Sequence, residues 1–251
     1  MRKINKKPII VTALALCLIV AAVGGTMAWL NSQDSLENVF TVGQFSDPDT
    51  DPTDPDNPLP EDPTKVNGHL YEPNWEANSK FVPGATITKD PMVGIGDGSE
   101  DAYVYLYVDN NTLNNKVYFK LNEGWEAVDG YVTEANVISG DPAYDNGSTT
   151  FYTGGLFKFN PTTNDGKLVA SADQNAWTNA AFSNVYVKND AVLADLADVL
   201  EDNTDTIDPN GDGVYTINVT ALIHQAASGD GTDLQTDADT WAKEQATKLA
   251  Q

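Results

Sequence analysis

Ala102-Tyr103-Val104-Tyr105-Leu106-Tyr107-Val108 alternates without a break, with Ala102, Val104, Leu106 and Val108 on one face and three tyrosines on the other. Period two is the mark of a β-strand, because successive Cβ atoms point to opposite sides of the backbone. The aliphatic face is core material. The tyrosine face could act as a stacking platform for sugars or a partner sheet. The favoured reading is that it packs under a loop or helix, since each ring carries a large area to bury.

Other strands are expected on either side of this one. Residues 85–88 follow the Pro83-Gly84 turn, and residues 116–121, 149–152, 156–159, 182–188 and 214–222 are further β-prone runs. Asn, Asp and Gly clusters, which favour turns, separate them. Many short strands with few helices predict a mostly β protein, a two-sheet sandwich of jelly-roll-like form. One or two short helices are expected beside it. Val192, Leu193, Leu196, Val199 and Leu200 recur at helical spacing behind Asn189 or Asp190 as N-cap. At the C-terminus Ala238, Trp241, Ala242, Gln245, Ala246 and Leu249 form one helical face, with Asp237 and Asp239 early and Lys243 and Lys248 late, as the helix dipole prefers.

The N-terminus has a different character. Arg2, Lys3, Lys6 and Lys7 precede an apolar run over residues 8–23, and Gly24-Gly25-Thr26-Met27-Ala28 supplies small residues ahead of Trp29. This is the form of an export signal cut between Ala28 and Trp29. The apolar run is short for a span of about 20 residues. Next come residues 29–46, then an acidic, proline-rich linker over 47–66, then the sandwich domain over 67–251. Residues 47–63 read DPDTDPTDPDNPLPEDP, with seven acidic residues, six prolines and no basic residue. Like charges repel and proline removes donors, so this segment is expected to be extended and unpacked. Within 29–46, residues 36–45 contain Val39-Phe40-Thr41-Val42, a β-prone run suited to donation into a neighbour's sheet.

Gly24-Gly25-Thr26, Ala28-Trp29 and Phe40-Thr41-Val42-Gly43 together resemble the signal class processed by the SipW-type signal peptidase. Its passengers include the matrix-fibre protein TasA and its relative camelysin. The resemblance resumes at Glu72-Pro73-Asn74-Trp75, Lys80-Phe81-Val82-Pro83-Gly84, Lys89-Asp90-Pro91 and Asp101-Ala102-Tyr103-Val104-Tyr105. It covers roughly residues 15–45 and 70–110 and is only general beyond. It implies processing by a SipW-type peptidase, secretion to the extracellular matrix or cell surface, and self-association into fibres. Some camelysin relatives are labelled metalloproteases; no matching ligand set is present here, so that activity is not carried over.

Composition narrows the function further. The chain of 251 residues carries 14 basic and 37 acidic residues. Cleavage after Ala28 removes four basic residues and no acidic one, leaving 10 against 37, a net charge of −27. Such a surface repels nucleic acid and anionic membrane, so neither is expected as a partner after cleavage. The one cysteine, Cys17, lies in the signal with Leu16 before it, which does not fit a lipid-attachment site. The mature chain has no thiol and no disulfide.

Catalysis is poorly supported. His69 and His224 are the two histidines, and neither an HExxH pair nor a G-x-S-x-G elbow is present. Both histidines, and Trp75, Trp125, Trp177 and Trp241, are read as structural. Asp208-Pro209-Asn210-Gly211-Asp212-Gly213 places oxygen ligands at alternate positions before a glycine, as in the first half of a calcium-binding loop. The twelfth position, which should be a bidentate Glu, is Val219. A tight Asx/Gly turn is favoured, with a partial calcium site on Asp208, Asn210 and Asp212 as the alternative. The function expected is that of an exported structural protein, a fibre subunit assembled by strand donation. The rival is a calcium-dependent extracellular adhesin or binding module.

Overall fold

The structure, a computed structural model, describes residues 31–34, 48, 68–74, 82–109, 115–191, 217–229 and 231–251. In chain order the strands are β1 (Asn31–Asp34), β2 (His69–Tyr71), β3 (Thr86–Thr88), β4 (Met92–Ile95), β5 (Ala102–Asp109) and β6 (Val117–Phe119). Then come β7 (Trp125–Glu134), β8 (Tyr152–Phe159), β9 (Ala176–Trp177), β10 (Asn184–Val187), β11 (Asn218–Gln225) and the helix α1 (Gln235–Leu249). The large sheet runs β1-β11-β5-β8-β6-β10-β3, with β7 also paired to β8, and a small sheet runs β2-β4-β9. The pairings are antiparallel, and the protein is mostly β, a two-sheet sandwich with a helix at its C-terminus.

The alternating stretch that predicts a strand is the centre of the large sheet. β5 pairs with β11 along its whole length, from Ala102↔Gln225 to Asp109↔Asn218, and with β8 on its other side. Its aliphatic face, Val104, Leu106 and Val108, is buried with Ala221 and Ile223 of β11 and Phe157 and Phe159 of β8. Val93 and Ile95 of the small sheet close the same core. Phe119, Val185 and Ile87 bring β6, β10 and β3 into it as well. The rings of Phe119 and Phe182 stack there with centroids 4.3 Å apart. Each such side chain, fully buried, is worth about 1.5–3 kcal/mol.

Of the strand expected over 149–152 only Tyr152 is in a strand; β8 starts there and runs through Thr153-Gly154-Gly155, which reads as a break, into the expected 156–159. Gly155 has φ +125°, and a Cβ there would lie 2.4 Å from the Tyr131 carbonyl oxygen and 2.5 Å from Val132 Cα. Only glycine combines that backbone with that close approach. The neighbour is β7, whose register against β8 shifts between Ala127 and Val132, a bulge opposite Leu156 and next to Gly155.

α1 lies over the other face of β5. Ala238, Ala242 and Ala246 are buried, with Trp241 and Leu249 packed at their flanks, on the face the sequence predicts. Alanines at four-residue spacing let the helix axis come close to the tyrosine rings. The second expected helix, over 192–200, lies outside the described residues, as do residues 214–216 of the strand expected over 214–222. One expectation is corrected inside the linker: Pro48, at its start, is buried and not unpacked.

Candidate functional site

β1 forms one edge of the large sheet. Asn31, Ser32, Gln33 and Asp34 pair with His224, Ile223, Leu222 and Ala221 of β11. Asn and Asp are poor strand formers, so this segment is extended because β11 offers it an open row of backbone groups. It begins two residues beyond the expected cut at Ala28 and Trp29, which lie outside the described residues, as do residues 36–45, the expected donor strand. In this structure the N-terminal segment completes its own chain's sheet.

The tyrosine face is not open to a ligand. Tyr103 is 1% exposed, Tyr105 0% and Tyr107 8%. They lie under α1 with Leu156 and Leu222, so the packed arrangement is the one found and the stacking platform is excluded. Their hydroxyls meet a line of charges. Tyr105 Oη donates to Asp239 Oδ1 at 2.6 Å, and Lys158 Nζ donates to the same oxygen at 2.7 Å. Tyr103 Oη donates to the Asp233 carboxylate at 2.9 and 3.0 Å, and Lys167 Nζ lies 2.9 Å from Asp233 Oδ2. Lys158 Nζ also sits 5.6 Å from the Tyr103 ring centre and 5.7 Å from that of Tyr105.

These contacts set the protonation states. Burial, then the bond to Asp233, pushes Tyr103 up, and burial, then the bond to Asp239, pushes Tyr105 up. The Lys167 ammonium, then the Gln235 backbone N–H, holds Asp233 below the usual carboxylate range. The bond to Asp233 raises Lys167 in turn. The two phenols are held protonated and the Asp233 carboxylate is held charged, which makes them fixed hydrogen-bond donors and acceptor. The arrangement is a clamp that fastens α1 to the sheet.

The remaining candidates separate. His224 on β11 is 2% exposed, with Nδ1 2.8 Å from the Gln225 carbonyl oxygen and its ring 5.4 Å from Trp241. Burial pushes its pKa down. His69 belongs to the small sheet, where its ring meets Tyr71 and Trp177. Trp125 is 6% exposed and its indole N–H donates to the Asn179 carbonyl at 3.0 Å, an anchor as expected. Trp75 and the possible calcium ligands Asp208, Asn210 and Asp212 lie outside the described residues. Among the described residues no three His, Cys, Asp or Glu side chains are grouped to hold a metal.

Two separate sequence motifs meet in the fold. Lys89 Nζ bonds both Glu72 oxygens, at 2.7 and 2.9 Å. Next to it Asp90 accepts from the Asn74 backbone N–H at 3.1 Å and from Asn74 Nδ2 at 2.7 Å. Glu72-Pro73-Asn74 and Lys89-Asp90-Pro91 therefore interlock, and their opposite charges were the available signal. No protein-family model, curated protein or solved structure matches this chain.

Proposed function

We propose that this is an exported structural protein whose mature form assembles outside the cell by donating its N-terminal segment to a neighbour's sheet. The observation that carries it is the pairing of Asn31–Asp34 with the edge of β11. A strand held by main-chain bonds at a sheet edge can be supplied by the same chain or by another, because those bonds do not depend on which chain provides them. It begins two residues after the expected signal cut, so in the processed chain it stands near an end. Head-to-tail exchange of this kind extends into filaments unless the rotation closes a ring. The resemblance to the SipW-processed, TasA-like class points the same way, toward a matrix or surface fibre subunit. The clamp of α1 over the tyrosines fits a subunit built for mechanical integrity.

Electron microscopy of the purified mature protein over a range of concentration and pH tests this. Fibres are expected from residues 29–251, and their loss on deleting residues 29–45, with a synthetic peptide of that segment capping the truncated subunit. Normal polymerisation of the truncated protein would overturn strand donation.

A further inference from the structure

The outer face of the small sheet carries an aromatic cage. Val93 and Ile95 of β4, Leu70 of β2 and Ala176 of β9 point into the core, so His69, Tyr71, Gly94 and Trp177 point outward. His69, Gly94 and Trp177 are direct neighbours across the ladder. The three ring centroids are 6.1, 6.1 and 6.2 Å apart, with tilted and edge-on planes. Gly94 is the floor. A Cβ on it would lie 2.5 and 2.6 Å from Trp177 Cε3 and Cζ3 and 2.7 Å from Pro48 Cγ. The backbone there is not in the left-handed region, so glycine serves space and not conformation. Pro48 fills that space and is buried.

We propose that this cage is a proline-docking site, occupied by Pro48 of the chain's own acidic segment, and that it pins the N-terminal arm to the small sheet. The chemistry is that of proline-rich recognition, in which a rigid ring with little entropy to lose is received by aromatic side chains. Without an occupant the three rings would form an exposed apolar patch on a strongly acidic protein. The dock also divides the arm. β1 is held on the large sheet and Pro48 on the small one, so the 13 residues 35–47 bridge them. The 14 Cα steps from Asp34 to Pro48, at about 3.3 Å each, reach roughly 46 Å at most. The proposal does not depend on fibre assembly, and its test uses the unassembled protein.

The test uses the full mature chain in two directions. Trp177→Leu and Gly94→Val disturb the cage and leave the segment's sequence intact. A protease that cuts before aspartate should then cleave at Asp47 and Asp49 roughly tenfold faster than in wild type, the factor corresponding to about 1.4 kcal/mol of lost docking. Circular dichroism identifies any variant that has unfolded, and the remaining folded one decides. In the other direction, Pro48→Ala should shift the Trp177 indole N–H resonance, a readout that no protease specificity affects. Unchanged cleavage in the folded cage variants, or an unmoved Trp177 resonance in Pro48→Ala, overturns the dock. A wild-type Trp177 resonance that moves with protein concentration would place a second copy's proline in the cage and overturn the intramolecular occupant.

Discussion

Lys158 Nζ lies 2.7 Å from Asp239 Oδ1, on an oxygen that also accepts the Tyr105 hydroxyl at 2.6 Å. The lysine side chain is 7% exposed and the aspartate 37%. The cation is thus the buried partner, and the helix supplies its counter-charge from the rim.

Removing that counter-charge should cost more than removing the pair. Asp239→Ala leaves a buried ammonium and a buried phenol without their acceptor, and should destabilise by about 1–3 kcal/mol once water's access to the rim is allowed for. Lys158→Met on the same background should recover part of the loss, because a buried ion pair can be replaced by apolar packing more cheaply than it can be broken. Urea unfolding of the single and double variants checks this; equal midpoints would show that the two residues are not coupled.

Alkaline stability should track Tyr105. Its folded pKa is raised above the ordinary 10.0 by burial and by the bond to Asp239. The unfolded chain therefore loses the phenolic proton first. The contribution is fully present below pH 10 and falls as pH rises from there toward the folded pKa. Tyr105→Phe should be less stable at neutral pH yet decline less steeply above pH 10. Melting temperatures from pH 8 upward make the comparison.

His224 should act at the acid end with the opposite sign. Burial lowers its pKa below the ordinary 6.5, against smaller upward pulls from the Gln225 carbonyl and the Asp237 charge, while Trp241 covers the ring. The unfolded chain then binds a proton that the fold refuses. Stability is full above pH 6.5 and is lost as pH falls from there toward the folded pKa. His224→Gln should flatten this part of the stability curve relative to wild type, with the carboxylates contributing equally to both. Parallel slopes between pH 6.5 and 5 would contradict it.

Gly155→Ala should be among the most damaging single-methyl changes. The added Cβ meets backbone atoms of β7 at 2.4 and 2.5 Å and is held at φ +125°. Strain and displacement of β7 together predict a loss of about 2–4 kcal/mol. Gly98→Ala, where a Cβ meets nothing within 4 Å at φ +67°, is the control for conformation alone and should cost about 1 kcal/mol. Chemical denaturation of both variants separates the two causes.

Export should depend on the small residue before the cut. Ala28→Asp places a charge where a signal peptidase pocket takes only small side chains, so the precursor should remain in the membrane fraction. N-terminal sequencing of secreted material is the check, and mature chains beginning at Trp29 from that variant would refute the assignment.

The alternation over residues 102–108 was enough to determine β5, because a period of two is a property of the backbone that a side-chain pattern records directly, and the run of short strands around it made the sandwich legible. The alanine face of α1 was legible for the same reason at a period near four. β7 was not legible. Glu126, Asp129-Gly130 and Glu134 read as a turn-rich surface, and the segment is a strand because β8 lies beside it with a glycine at the point of closest approach. β1 is a strand for a similar cause, the open edge of β11. Asp239 reads in sequence as a helix-start acid suited to the dipole; in the fold it turns to Tyr105, 134 residues away, and to Lys158. Pro48 reads as solvated spacer and is seated on Gly94. Local pattern encodes the backbone period and which face wants to leave water. Which group stands opposite a given side chain depends on contacts between distant segments, and those exist only once the sheets have packed.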